Sequence, residues 1–158
     1  MRQTERNKFM KLYEDNIDKV KMLVFFDDDE KIRTRALLWN DVRDHNDKES
    51  RYKFMDRIYS FYDHDVDFFK DWAKDNGYIT KWEQSARSEK DFDLGDRVHS
   101  RLSLYVKLDN TEQEYFPYLD TFKFEKMNLS TLNNFNIGGT KKNFISTLAV
   151  GNPISLPF

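Results

Sequence analysis

Three groups of residues in this chain have side chains able to do chemistry. The first is the acidic run Asp27-Asp28-Asp29-Glu30. A calcium loop spaces its ligands at alternate positions around a central glycine and closes on a bidentate glutamate. The run has none of that spacing, and aspartate in a tight turn accounts for it. The second group is His45 among Asp41, Asp44, Asp47 and Glu49, together with His64 between Asp63 and Asp65. Imidazole beside carboxylate suits a hard or borderline divalent metal. The paired histidines of a zinc protease helix are missing, and so is any cysteine ligand. Acids at 63 to 67 also fall where a helix N-terminus attracts negative charge. Surface and capping roles are therefore expected, with no metal and no other cofactor. Without a Gly-x-Ser-x-Gly elbow or a cysteine, no catalytic nucleophile is expected either.

The third group is basic. Arg33 and Arg35 lie on one strand-like run and Arg51, Lys53 and Arg57 on the next. If those runs pair antiparallel with like faces aligned, the five cations form a patch edged by Trp39 and Tyr59. Cations interleaved with aromatic rings hold phosphates and stack bases. The competing reading is a solvent-facing sheet surface whose cations pair with nearby carboxylates and ring faces. A net charge of -2 supplies no wider field to support nucleic-acid binding.

These residues need elements to position them. Thr4 to Asp15 carries Phe9, Leu12 and Tyr13 at helical spacing, with Thr4 as cap. Val20 to Phe26 is a continuous apolar run, the pattern of a strand buried on both faces. A polar turn follows, then a strand from Ile32 to Trp39 that alternates Arg33, Arg35, Leu37 and Trp39 against Ile32, Thr34, Ala36 and Leu38. A charged loop spans Asn40 to Ser50. In the strand from Arg51 to Tyr59, Tyr52, Phe54, Asp56 and Ile58 share a face. Asp63 is placed to cap a helix with Val66, Phe69, Trp72 and Ala73 as its apolar stripe, and Asn76-Gly77 stops it. Strands at Tyr78 to Glu83, Val98 to Leu108 and Tyr118 to Phe124 follow, with a loop from Ser85 to Asp96. The sum is an α+β domain, a mixed or antiparallel sheet carrying one or two helices, with Trp39, Ile58, Phe69, Trp72 and Leu104 in its core.

The chain of 158 residues suits one domain. Its mean hydropathy of -0.85 would suit disorder. A 16% share of Phe, Tyr and Trp decides for a folded core, since each buried ring removes a large apolar area from water. Nothing approaches the roughly 20 apolar residues of a membrane span. The N-terminus lacks a signal-peptide core, and a cytoplasmic protein with no membrane partner is expected. Of all the charged residues only Lys141 and Lys142 lie beyond Lys126, while Leu and Phe continue to Phe158. The division expected is therefore an α+β domain over 1–126 and a low-charge segment over 127–158. That segment forms either strands on the domain's own sheet or an arm that self-associates as a homo-oligomer.

The strand-strand-strand-helix-strand order from Val20 to Glu83 resembles the centre of an N-acetyltransferase (GNAT) domain. Such domains hold the cofactor pyrophosphate on an Arg/Gln-x-x-Gly-x-Gly/Ala loop at a helix N-terminus. Ile58 to Val66 contains no glycine, so no loop residue carries over, and the resemblance implies a degenerate fold without acetyl-CoA. Arg35-Ala-Leu-Leu-Trp39, Met55-Asp-Arg-Ile-Tyr59, Phe69-Lys-Asp-Trp-Ala73 with Asn76-Gly77, and Tyr118-Leu-Asp-Thr-Phe122 resemble, in this order, a family of bacteriophage-encoded proteins with no assigned activity. Members often begin Ser-Cys-Met-Arg, so Met1-Arg2 as a remnant implies a longer natural N-terminus. The expectation is a non-enzymatic phage module that binds a host, host-defence or phage protein in the host cytoplasm. The alternatives are a nucleic-acid binder using the basic face, a degenerate acetyltransferase, or a structural protein packaged in the virion.

Overall fold

The computed structural model describes residues 15–85, 89–109, 119–124 and 130–135. They build one ten-stranded mixed sheet and one helix. The strands are β1 (Val20–Phe26), β2 (Ile32–Asp44), β3 (Arg51–Met55), β4 (Tyr59–Ser60), β5 (Tyr78–Lys81), β6 (Asp91–Asp93), β7 (His99–Arg101), β8 (Leu104–Lys107), β9 (Lys123–Phe124) and β10 (Thr131–Asn133). The helix, α1 (Asp63–Asp75), lies between β4 and β5. The sheet runs β7-β6-β5-β3-β2-β8-β10-β9, with β1 and β4 also paired to β2. Every pairing is antiparallel except β3 with β5, which α1 connects as a crossover.

β2 is the spine. Its first half pairs with β1 on one flank and β4 on the other, and its second half pairs with β3 and then β8. Between Trp39 and Val42 the register to β3 shifts, so Asn40-Asp41 form a bulge. An extra residue reverses the in-out alternation. Trp39 and Val42 consequently face the same side, and both are fully buried in one cluster. That cluster also contains Phe54, Phe92, Phe122, Leu104 and Leu132, and the sheet curls round it as a half-barrel. Edge-to-face ring pairs knit it: Trp39 with Phe122, Phe54 with Phe92, and Phe54 with Phe122, at centroid distances of 5.5, 5.2 and 5.4 Å. A second cluster lies on the other face, where Phe69 and Ala73 of α1 cover Ala36, Leu38, Met55 and Ile58.

Several elements differ from the sequence reading. β1 has the expected bounds but is only half-buried beyond Val20, because it pairs on one flank only among the described residues. β2 continues five residues past Trp39 through the expected loop. The strand expected to end at Tyr59 breaks after Met55, where Asp56 turns inward and Ile58 N–H donates to the Gln84 side chain. Tyr62, not Asp63, is the helix N-cap, and it makes no side-chain cap bond. Asp63 is the first helical residue, and Gly77, at φ +78°, makes the left-handed stop. β5 stops at Lys81, and the expected 85–96 loop contains β6. Val98 to Leu108 is two strands on opposite sides of the sheet: β7 pairs with β6, and β8 pairs with β2 and β10. Of the span expected over 118–124, Lys123–Phe124 is the strand among the described residues 119–124. Four of the five expected core residues are buried, and Trp72 is half-buried against the helix-side cluster.

The low-charge segment contributes β10, which lies between β8 and β9 with Leu132 fully buried. Asn134 stitches the same region: its side chain accepts from Leu104 N–H and donates to the carbonyls of Glu89 and Leu102. Charge has no place here because Thr131, Leu132, Asn133 and Asn134 are all interior. The expected helix over 4–15, Asp15 excepted, and residues 127–129 and 136–158 of the expected low-charge segment lie outside the described residues.

Candidate functional site

The seven residues expected to form a basic-aromatic face are divided by the antiparallel register. Arg35 lies opposite Tyr59 on β4, whereas Arg51 lies opposite Arg43 at the far end of β2. The apolar rungs Leu38–Met55 and Trp39–Phe54 separate the two ends. Trp39 was expected both at the rim of the patch and in the core; it has no exposed surface and belongs to the core alone, because its neighbours on that face are apolar.

The cations are engaged within the chain. Arg33 donates twice to the Asp65 carboxylate, at 2.7 and 2.9 Å, reaches His64, and stacks over Tyr62 at 4.3 Å. The Arg35 and Arg57 guanidinium groups both lie over the Tyr59 ring, 4.9 and 5.2 Å from its centroid. Arg57 also reaches Asp120 at 3.6 Å. At the other end Asp41, re-aimed by the bulge, gathers Lys19, Arg43 and Arg51 within 3.4, 3.6 and 3.7 Å. Lys53 rests on Tyr78 at 4.5 Å. His45 stacks on Phe135 at one end of β2 and His64 sits at the start of α1, so the two histidine groups do not converge. Among the described residues no cluster of three or more His, Asp or Glu is arranged to hold a metal.

Asp65 anchors the helix to β2. Besides Arg33 it accepts from the Thr34 hydroxyl at 2.6 Å. Burial pushes its carboxyl up, but the bonds from Thr34 and Arg33 and the Arg33 charge outweigh that and hold it below the usual carboxylate range. A carboxyl lowered in the folded state stabilises fully above its unfolded value of about 3.9, and that stability is lost as pH falls through the folded value. Asp65→Asn is therefore expected to lower urea stability at neutral pH, with the gap to the parent closing as pH falls through the lowered folded-state value. A gap unchanged by pH would show that the ion pair does not supply the stability.

A network that the sequence reading missed closes the break after β3. Asp56, Lys81 and Thr121 are 2%, 1% and 0% exposed. The Thr121 hydroxyl donates to Asp56 Oδ1 at 2.6 Å and accepts from Lys81 Nζ at 3.0 Å. Asp56 also takes Arg57 N–H at 2.7 Å and Thr121 N–H at 3.3 Å. Burial, then the Asp120 charge, pushes the Asp56 carboxyl up, against Lys81 and the Thr121 bond. Beside it the Tyr59 hydroxyl donates to Asp120 at 3.0 Å; burial and the two carboxylates push that phenol well above its usual value. A hydroxyl held between a carboxylate and an ammonium has the makings of a nucleophile, but Thr121 has no surface open to a substrate. The network is a buried joint. Its sequence signal was Asp56 itself, an acid on the apolar face of Tyr52, Phe54 and Ile58.

The open concavity lies on the other side of α1. A cleft of about 550 Å³ separates Lys70 and Lys74 of the helix from Thr80, Asp93 and Arg97. Lys74 bridges it to Asp96, and Arg97 covers Trp82 at 3.9 Å.

The remaining surface feature is aromatic. Phe61 is 82% exposed, Phe26 55%, Phe68 53% and Tyr62 47%. The rung Phe25–Thr34–Ser60 crosses β1, β2 and β4, and Phe26 and Phe61 follow it at the end where β2 begins. Tyr62 lies under Arg33 there, and Phe68 packs on Phe25 at 4.9 Å. Exposed rings from three elements thus share one end of the sheet. Comparison with protein families, curated proteins and solved structures finds no match to this chain. No helix among the described residues is long and apolar enough to cross a membrane.

Proposed function

We propose that this protein is a non-enzymatic, phage-encoded module that binds a host or host-defence protein through its aromatic end. One observation carries the reading: four large rings, up to 82% exposed, gather at one end of the sheet. Isolated exposed apolar residues are ordinary, but a group of aromatics at one site is characteristic of recognition surfaces. The phage origin rests on the ordered motifs between Arg35 and Phe122. Against nucleic acid stands the engagement of Arg33, Arg35, Arg51, Lys53 and Arg57 with carboxylates and rings, which leaves few cations to displace counterions from phosphate. The β3–α1–β5 crossover favours a second reading, a degenerate acetyltransferase. Ser60-Phe61-Tyr62 before α1 offers no glycine for a pyrophosphate cradle.

Affinity capture from nuclease-treated host lysate tests this. The tagged wild-type chain is expected to retain a protein that Phe61→Ser loses, while circular dichroism and melting of the variant stay unchanged, since Phe61 is mostly in water. Capture that depends on nucleic acid, or that Phe61→Ser leaves intact, overturns the proposal.

A further inference from the structure

We infer that the segment received at the aromatic end is basic: a stretch of a protein partner in which lysine or arginine surrounds large apolar anchors. This rests on the docking reading above and adds the partner's chemistry. The rings are rimmed by acid. Asp28, Asp29 and Glu30 come just after Phe26 and Asp27 and are exposed, and Asp63, also exposed, follows Phe61 and Tyr62 at the start of α1. Two cations lie beside them: Lys31, exposed in the same turn, and Arg33, which is already held by Asp65.

The carboxylates are set in place before any partner arrives. Asp27 N–H donates to Lys31 O at 2.8 Å, and Glu30 N–H to Asp27 O at 3.0 Å. The Asp27 side chain accepts from the N–H groups of Asp29 and Lys31, at 2.9 and 3.0 Å. Asp27 is thus spent on holding the turn, and the next three carboxylates stand in water on a fixed backbone. Docking against such a rim loses little entropy in ordering it. The rings favour cations as well, since a guanidinium or ammonium is drawn to a ring face, as Arg33 on Tyr62 already illustrates. An acidic or neutral partner would bury these carboxylates unpaired, at a cost that selects against it. The whole chain carries only -2, so the attraction belongs to this end and not to the molecule at large.

The test uses three fluorescent peptides of one amphipathic leucine pattern, with polar positions all Lys, all Gln or all Glu. The Lys peptide is expected to bind at least about tenfold tighter than the Gln peptide, less tightly as salt rises, and to lose about tenfold in Phe61→Ser and in Asp28→Lys/Glu30→Lys. Equal binding of all three peptides that still needs Phe61 overturns the basic partner and leaves docking standing. Lys-peptide binding indifferent to both variants, or no binding by any peptide, overturns the inference; the lysate capture then judges docking separately. Phe61-dependent self-association in sedimentation velocity makes a second copy the occupant and overturns it too.

Discussion

Asp56→Ala is expected to lower the unfolding free energy by about 3–5 kcal/mol, the cost of stranding a buried charge. The carboxylate accepts three hydrogen bonds, from the Thr121 hydroxyl and from the N–H groups of Thr121 and Arg57. Its removal leaves those donors without an acceptor and Lys81, 1% exposed, without its countercharge. Lys81→Met strands the opposite charge. The double variant is therefore expected to lose clearly less than the sum of the singles. Urea unfolding of all four proteins measures the coupling, and strict additivity would show that Lys81 and Asp56 do not balance each other. The pH sign is opposite to that of Asp65. Because the Asp56 carboxyl is raised in the folded state, its contribution is present below its unfolded value and fades as pH rises through the folded one.

Phe54→Ala is expected to cost about 3–5 kcal/mol, the range for emptying a buried phenylalanine site. The ring meets both Phe92 of β6 and Phe122 beyond β8, so it ties distant parts of the sheet to β3. Neighbouring rings are themselves boxed in: Phe92, Phe122 and Trp39 have no exposed surface, which limits collapse into the cavity. Phe54→Leu refills part of that volume and is expected to recover more than half the loss, read as a shift of the urea midpoint at constant slope. An alanine variant within about 1 kcal/mol of the parent would mean that the site relaxes freely and the ring pairs carry little.

Local patterning made the centre of the fold legible. The apolar run at Val20–Phe26, the amphipathic stripe of α1 and the Gly77 stop depend on neighbours within a few residues, and those elements stand where the pattern puts them. What failed was set at long range. The bulge at Asn40-Asp41 exists because β2 must pass from one set of partners to another, and no alternation within 32–44 announces it. Val98 to Leu108 alternates well enough for one strand, yet its halves are claimed by β6 and by β2 with β10. The basic residues were visible; their engagement was not, since Asp65 and Asp120 reach Arg33 and Arg57 only through the tertiary fold. Phe61 and Tyr62 gave a usable signal, two aromatics between a strand and a helix where turn residues belong.

The two faces of the sheet also differ in when a growing chain can complete them. Every member of the helix-side cluster, from Leu23 to Tyr78, belongs to the first half of the chain. The half-barrel cluster draws on Leu104, Phe122 and Leu132, so it stays open until nearly the last described strand has emerged. Synthesis from the N-terminus thus delivers β1–β4, α1 and β5 as a unit with one finished side, and the bare side waits for residues made many seconds later. Trp39 and Phe54, the largest rings of that waiting side, are the surface a chaperone would meet on the nascent chain.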